Sequence, residues 1–150
     1  MVLLQIAEPG ATAEVHGDRQ IGVGIDLGTT NSLIAHFDGT DLRVLEDESG
    51  QASLPSVVYY GAKGTVVGTA AETYSSSEPT NTIASAKRML GRSRAEFEDD
   101  PYVALAEGEG LAFNTDAGSK TPVEVSSAIL NELKLRAEPQ LTGPIAGAVI

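Results

Sequence analysis

The chain carries the stretch Gly24-Ile25-Asp26-Leu27-Gly28-Thr29-Thr30-Asn31-Ser32, in which an apolar segment runs into a short polar turn and then into a second apolar segment. Apolar residues alternate at positions 21, 23 and 25, and residues 32 to 37 are again mostly apolar, so each flank predicts a β-strand. Asp38 and Gly39 then offer the positive-φ geometry of a tight hairpin, and the chain returns through residues 42 to 45. The pattern predicts three antiparallel strands with the turn at 26–31 at one end.

The turn at 26–31 has the chemistry of a phosphate site. Gly28 lets backbone amides approach an anion closely, and the hydroxyls of Thr29 and Thr30 suit phosphate oxygens. A carboxylate beside phosphate is repelled unless a divalent cation or its water lies between them, so Asp26 predicts a magnesium ion that it holds through water. The turn therefore predicts a metal-bound nucleotide as the ligand, and a plain hairpin turn is the alternative interpretation.

Two common nucleotide motifs are absent from the chain. It has no G-x-x-x-x-G-K-[ST] segment, and Gly22-x-Gly24 is followed by Leu27 at the position where the dinucleotide fingerprint requires its third glycine. The sequence therefore supports neither a P-loop nor a dinucleotide-binding fold.

The composition excludes several classes of function. The 150 residues include 10 Lys and Arg against 21 Asp and Glu, and the formal net charge of -11 repels nucleic acid and anionic membrane surfaces. The chain has no cysteine, so it offers no thiolate to zinc or to an iron–sulfur cluster. No apolar run approaches the roughly 20 residues that span a bilayer, and residues 1 to 6 lack the basic flank of a secretory signal. We expect neither a nucleic-acid nor a membrane partner, and a cytoplasmic location.

The rest of the chain predicts short elements separated by turn residues. Residues 1–19 have the composition of an irregular lead-in, and the domain begins near Gln20. Breaker residues and apolar spacing predict the following elements: strands at 57–60 and 65–67, helices at 68–75, 82–90 and 94–98, and a hairpin formed by 102–106 with 111–113.

The clearest helix signal begins at Thr121. This residue is suited to cap the helix, Pro122 occupies the first helical position, and Glu124 completes a capping box. On the outer face, Glu132 and Arg136 have the spacing of an ion pair. Apolar residues recur at four-residue steps and predict a stripe that faces the core: Val125, Ile129 and Leu133.

Residues 145 to 150 form an apolar run that predicts a buried strand. No polar tail follows this run, which is unusual for the end of a domain. We therefore expect the chain to be the amino-terminal piece of a longer protein.

The stretch at 24–32 resembles the first signature of the DnaK-type heat-shock chaperones. Further segments match that family in the same order, at 54–58, 67–68, 81–92 and 121–126, so the resemblance extends from about Gln20 to the last residue. It implies an α/β protein with the actin-like (ribonuclease-H-like) ATPase fold, of which residues 20–150 are the first part of lobe I only. It also implies ATP and Mg²⁺ as ligands, with the phosphates held by Gly28, Thr29, Thr30 and Asn31.

The same resemblance gives a catalytic role to Lys87, which in these chaperones reaches the γ-phosphate and the attacking water, and to Asp26. The predicted helix over 82–90 would place Lys87 on one face with Ile83, Ala86 and Leu90. A lysine whose stem covers the edge of the core is the alternative. In the family, a second phosphate loop, the adenosine pocket and a peptide-binding domain follow the matched segment. Because phosphoryl transfer needs charge stabilisation from several sides, we expect no ATP turnover from these 150 residues alone.

Residues 3–10 and Leu54 are similar to the branch of the family devoted to iron–sulfur cluster assembly. General members begin almost directly at the first strand and usually carry Thr at the position of Leu54. That branch implies a J-type co-chaperone and an iron–sulfur scaffold protein as client, and the absence of cysteine fits a chaperone that remodels the scaffold without holding the cluster. The alternatives are a general DnaK-type chaperone, a filament protein of the same fold, and a small-molecule kinase, whose motif typically continues to an Arg that residues 31 to 35 lack.

Overall fold

The computed structural model describes residues 21–62, 64–92, 94–97, 104–105 and 110–150, so the predicted lead-in at 1–19 lies outside the described residues. Among these residues, no helix is long and apolar enough to cross a membrane. The helices are α1 (Thr69–Glu72) and α2 (Pro122–Ala137), with 3-10 helices at Pro79–Asn81, Ala86–Met89, Arg94–Phe97 and Glu138–Gln140. The strands, in chain order, are β1 (Ile21–Asp26), β2 (Asn31–Phe37), β3 (Leu42–Val44), β4 (Leu54–Pro55), β5 (Val57–Gly61), β6 (Gly64–Val67), β7 (Thr82–Ala84), β8 (Ala104–Leu105), β9 (Leu111–Thr115), β10 (Gly118–Lys120) and β11 (Ile145–Val149).

The first sheet carries the turn at 26–31. Its strands lie in the order β11-β1-β2-β3, and β4 also pairs with β2. Strands β1, β2 and β3 are antiparallel neighbours, with Ile25 opposite Ile34 and Ala35 opposite Val44. The predicted set of three antiparallel strands is therefore confirmed.

Strand β11 lies beside β1 on the other side and runs parallel to it, which requires a crossover connection that contains α2. The predicted strand at 145–150 is thus present, but the prediction that it is buried is wrong. Val149 is 78% exposed and Ile150 is 68% exposed, because β11 is an edge strand of the described sheet.

Helix α2 packs on one face of this sheet and forms the core with it. The predicted stripe is confirmed, since its three apolar side chains are at most 2% exposed. Burial of an apolar side chain of this size contributes about 1.5–3 kcal/mol, so the stripe accounts for much of the attachment of α2 to the sheet. The core cluster combines the stripe with side chains from β1 and β2: Val125, Ile129, Leu133, Ile21, Val23 and Ile34.

The predicted capping box at the start of α2 is also confirmed. The Glu124 N–H donates to Thr121 Oγ1 at 3.2 Å, and the Thr121 N–H donates to the Glu124 carboxylate at 2.7 Å. The two residues satisfy each other's backbone donors at the helix end, where no intrahelical carbonyl is available.

The predicted outward pairing of Arg136 with Glu132 is wrong. The Arg136 side chain is only 7% exposed, and its guanidinium donates to the carbonyl oxygens of Gln51 at 3.0 Å and Ala52 at 3.2 Å. Asp47 lies 3.6 Å from the same guanidinium. Arg136 therefore attaches the segment at 47–52 to the carboxyl-terminal half of α2, across a sequence separation that a helical periodicity cannot show.

The other two sheets are small and antiparallel, with strand orders β6-β5-β7 and β10-β9-β8. The predicted strands at 57–60 and 65–67 are confirmed as β5 and β6. The predicted hairpin of 102–106 with 111–113 is confirmed where the structure describes it, because β8 pairs with β9, while residues 102, 103 and 106 lie outside the described residues.

The predicted helix over 82–90 is wrong. Thr82–Ala84 form β7, which pairs with β5, and a 3-10 helix over Ala86–Met89 follows. Ser85 separates them with φ of 58°, in the left-handed region that a non-glycine residue rarely adopts and that ends the strand. Ile83 is buried through strand pairing and not through a helical face, so the helical face assigned to Lys87 does not form.

The helix predicted at 68–75 is shorter than expected. Only Thr69–Glu72 is α-helical, and Gly68 before it has φ of 76°. The segment predicted as a helix at 94–98 contains the 3-10 helix Arg94–Phe97, and residue 98 lies outside the described residues.

Candidate phosphate-binding site

The loop between β1 and β2, residues 27–30, is called the β1–β2 loop below. Asp26 is the last residue of β1 and Asn31 is the first residue of β2, and both are exposed. Leu27 is 9% exposed and belongs to the core cluster, so it anchors the loop to the sheet. Thr29 is half-buried and Thr30 is exposed. The structure therefore brings all the residues predicted for phosphate and magnesium to one end of the β1–β2 hairpin.

Gly28 is required by the tight path of the loop. A Cβ placed on Gly28 would collide with the backbone oxygen of Asn31 and would lie 3.2 Å from its carbonyl carbon. The obstacle is backbone and not a flexible side chain, so no rotamer change can relieve it. Close backbone packing of this kind is a typical reason for glycine where amides approach an anion.

Ser56 forms two hydrogen bonds with the backbone of the β1–β2 loop. Its hydroxyl donates to the carbonyl oxygen of Gly28 at 2.9 Å, and its backbone N–H donates to the carbonyl oxygen of Thr30 at 2.8 Å. The Ser32 and Ser56 hydroxyl oxygens are 2.9 Å apart, and both residues are at most 2% exposed. Sequence reasoning missed this role, because Ser56 lies 28 positions from Gly28. In the sequence it is only one residue of the segment at 54–58 that matches the DnaK-type family.

Lys87 lies on the 3-10 helix Ala86–Met89 and is exposed, while the neighbouring Ala86 is 2% exposed and part of the core cluster. Within the described part of the chain, the Lys87 ammonium group forms no hydrogen bond or ion pair, while the Lys87 carbonyl oxygen accepts from the Leu90 N–H at 3.2 Å. Its segment is nevertheless connected to the loop through the second sheet, since Ala84 pairs with Val57, the residue after Ser56. The strand before Lys87 thus pairs with the strand that begins directly after Ser56. Within the described residues, no polar contact joins Lys87 to the β1–β2 loop.

The acidic groups near the loop are sparse. Among the residues that the structure describes, no group of three or more His, Cys, Asp and Glu side chains could hold a metal ion. Asp26 supplies one exposed carboxylate at the loop. Mg²⁺ commonly keeps several water ligands and takes one or two carboxylates together with phosphate oxygens, so the donor set fits a water-mediated magnesium ion that accompanies a phosphate ligand.

A second polar cluster lies on the small sheets and was also missed from the sequence. Asn81 is 5% exposed; its amide donates to the carboxylates of Asp116 at 2.8 Å and Glu78 at 3.2 Å, and its oxygen accepts from the Asp116 N–H at 2.8 Å. The Tyr59 hydroxyl donates to Glu78 at 2.7 Å, and this hydrogen bond, together with desolvation and the negative charge of Glu78, raises the pKa of Tyr59 to about 12. The members of this cluster form hydrogen bonds with one another. The cluster therefore joins the turn at 79–81 to the turn between β9 and β10.

Comparison with known proteins shows the family to which the chain is similar. The family model described as Hsp70 protein matches residues 22–150. Three relatives, each described as "Chaperone protein HscA homolog", are similar over the whole chain: 51% identical in Methylobacillus flagellatus over 154 residues, 49% in Shewanella amazonensis over 155 residues and 47% in Acinetobacter baylyi over 152 residues. These alignments cover 100% of this chain and 24–25% of each relative, so the chain spans about a quarter of their length.

The predicted resemblance to DnaK-type chaperones is confirmed, and the similarity includes the lead-in that indicated one branch of them. The family match contains β1, the β1–β2 loop, Ser56, Lys87, α2 and β11 in a mixed α/β arrangement. The chain therefore belongs to the Hsp70 protein family.

Proposed function

We propose that the chain supplies one side of the ATP site of a chaperone that couples ATP binding and hydrolysis to the binding of client proteins. The observation that carries this proposal is the β1–β2 loop, a tight glycine turn with an exposed carboxylate before it and exposed polar side chains after it. Gly28, Thr29, Thr30 and Asn31 bind the phosphates of ATP. Membership of the Hsp70 family supports the assignment and favours a chaperone over a small-molecule kinase or a filament protein.

Asp26 acts through water in this proposal. Its carboxylate lies at the end of β1 and orients water molecules of a magnesium ion that, when bound with ATP, neutralises charge on the phosphates. The Asp26 carboxylate cannot sit directly against phosphate, because the two anions repel each other. The role of Asp26 is therefore to position the water ligands of the magnesium ion relative to the β1–β2 loop.

Lys87 is the proposed catalytic cation. Its ammonium group is exposed and has no protein partner among the described residues, so it is available to a phosphate, and buried Ala86 fixes the turn that carries it. A cation that meets developing negative charge contributes mainly in the transition state. We therefore assign Lys87 to hydrolysis and not to ATP affinity.

The proposed architecture is the first part of lobe I of an actin-like ATPase, formed by residues 20–150. The relatives are about four times as long as this chain, and catalysis requires groups on the opposite side of the nucleotide. We expect these 150 residues alone to bind ATP weakly or not at all and to leave it unhydrolysed.

The client class is the finer part of the proposal. Similarity over the whole chain to proteins described as HscA homologs, together with the lead-in and Leu54, supports a chaperone for iron–sulfur cluster assembly. We propose a J-type co-chaperone and an iron–sulfur scaffold protein as its partners, in the cytoplasm. These 150 residues contain no cysteine, which fits a chaperone that remodels the scaffold without holding the cluster.

The proposal is tested with Asp26→Asn in the full-length protein. The substitution keeps the side-chain size and removes the charge that orients the metal shell, so we expect slower ATP hydrolysis and a higher magnesium requirement. Asp41→Asn is the matched control, since Asp41 is also exposed but lies in the turn between β2 and β3, at the opposite end of β2 from the β1–β2 loop. Equal hydrolysis by wild type and Asp26→Asn across magnesium concentrations would remove Asp26 from the site.

A further inference from the structure

The buried hydroxyl pair formed by Ser32 and Ser56 lies directly beneath the β1–β2 loop. Ser32 is 1% exposed and Ser56 is 2% exposed, and their hydroxyl oxygens are 2.9 Å apart. Ser56 donates its one hydroxyl proton to the Gly28 carbonyl, so the proton between the two serines comes from Ser32. The direction of this chain of hydrogen bonds is therefore determined: Ser32 to Ser56 to the loop backbone.

Ser56 determines how two peptide groups of the loop are oriented. Its hydroxyl and its N–H hold the carbonyl oxygens of Gly28 and Thr30 toward the protein. The described peptide bonds are all trans, and in a planar trans peptide the C=O and the following N–H point in opposite directions. The N–H groups of Thr29 and Asn31 consequently point away from Ser56, which is the orientation that an anion on the outer side of the loop needs.

We propose that Ser32 and Ser56 are positioning residues for the phosphate site, and this inference rests on the proposed function of the β1–β2 loop. Neither serine contacts phosphate. Ser56 fixes the orientation of the loop peptides, and Ser32 fixes the rotamer of Ser56 by donating to its oxygen. A loop of this kind is preorganised, because its amides need not reorient when the anion binds.

The position of Ser56 in the chain extends this role to the second sheet. Ser56 directly precedes β5, and the next residue, Val57, pairs with Ala84 of β7. Lys87 follows Ala84 by three positions. Strand β5 thus begins directly after Ser56, which holds the phosphate loop. Its partner β7 leads into the turn that carries Lys87, the proposed catalytic cation.

The test compares ATP with adenosine in the full-length protein, because only ATP uses the loop. For Ser56→Ala we expect the Kd for ATP to rise at least about tenfold, because a loop amide that is no longer held in place loses its hydrogen bond to the charged phosphate. The Kd for adenosine should change less than about twofold. Ser32→Ala should shift the same ratio in the same direction by a smaller factor, since it leaves the bond from Ser56 to Gly28 in place.

Ser126→Ala is the matched control. Ser126 is also buried, at 6% exposure, and its hydroxyl donates to the Pro122 carbonyl oxygen at 2.8 Å within α2, away from the loop. It should leave the ratio of the two dissociation constants unchanged, whatever its effect on the melting temperature. A merely structural role for Ser56 predicts the same behaviour for Ser56→Ala.

The outcomes separate the inference from the function on which it rests. If Ser56→Ala changes both affinities equally, or neither, the positioning role is overturned while ATP binding stands. If the wild-type protein binds adenosine and ATP with equal affinity, or binds neither, both the inference and the proposed function fail. Should Ser56→Ala not fold, the ratio measured for Ser32→Ala decides by the same criterion.

Discussion

Among the glycines whose surroundings the structure describes, Gly28 is the one at which an added Cβ would come closest to another atom. The new Cβ would overlap the backbone oxygen of Asn31 and lie 3.2 Å from its carbonyl carbon. Separating these atoms requires a shift of the loop backbone by roughly 1 Å, and overpacking of this kind costs about 1–3 kcal/mol. The loop cannot shift freely, because Ser56 holds the carbonyl oxygens of Gly28 and Thr30.

The same displacement should be visible in catalysis. A misplacement of about 1 Å in a group that positions substrate can reduce the rate roughly 100-fold. We therefore expect Gly28→Ala in the full-length protein to lower the free energy of unfolding by about 1–3 kcal/mol in urea denaturation and to lower single-turnover ATP hydrolysis about 100-fold.

Gly24→Ala is the control for the stability measurement, since a Cβ on Gly24 would meet nothing within 4 Å. An alanine in the middle of a strand is favoured over glycine by about 0.5–1 kcal/mol, so this variant should be as stable as wild type or slightly more stable. Wild-type stability and hydrolysis in Gly28→Ala would refute the argument that the loop is tightly packed and held in place.

Three further predictions follow from other parts of the structure. Lys87→Ala in the full-length protein should leave ATP affinity nearly unchanged and slow single-turnover hydrolysis strongly; normal hydrolysis with a lowered melting temperature would instead identify Lys87 as a lysine that covers the edge of the core. Arg136→Met should lower the free energy of unfolding by about 1–3 kcal/mol, because it leaves the carbonyl oxygen of Ala52 without the guanidinium donor, while that of Gln51 keeps its hydrogen bond from the Asp47 N–H; the exposed Lys134→Met, whose ion pair with Glu138 is on the surface, is the control and should change stability by less than about 1 kcal/mol. Hydrogen bonds from the N–H and hydroxyl of Thr121 hold the pKa of Glu124 below its ordinary value of 4.5, so the associated stabilisation is complete above pH 4.5 and is lost as the pH falls through the lower pKa of the folded state. Denaturation at a series of pH values should therefore show a steeper acid loss of stability for wild type than for Glu124→Gln, and parallel curves would contradict a role for the Glu124 charge.

The residues of the candidate site were predictable where the chemistry is local. Asp26, Gly28, Thr29, Thr30 and Asn31 lie within six consecutive positions, and a strand–turn–strand pattern brings them together without help from distant segments. The role of Lys87 rests only on the family resemblance, because the predicted helical face does not form. Ser32 and Ser56 carried no sequence signal for their role, because serine is common in turns and their contact spans 24 positions.

The sequence by itself determined the elements whose signals lie within a few residues. These are the antiparallel β1–β2–β3 unit, the glycine turn, and α2 with its capping box and apolar stripe, because alternation, positive-φ turn residues and end caps act through neighbouring backbone groups. The tertiary structure alone decided that 82–84 is a strand, that Arg136 turns inward to the segment at 47–52, and that Ser56 holds the phosphate loop. In each of these cases the deciding partner lies at least 23 positions away, and the hydrogen bond or strand pairing with that partner outweighs the weak local preference.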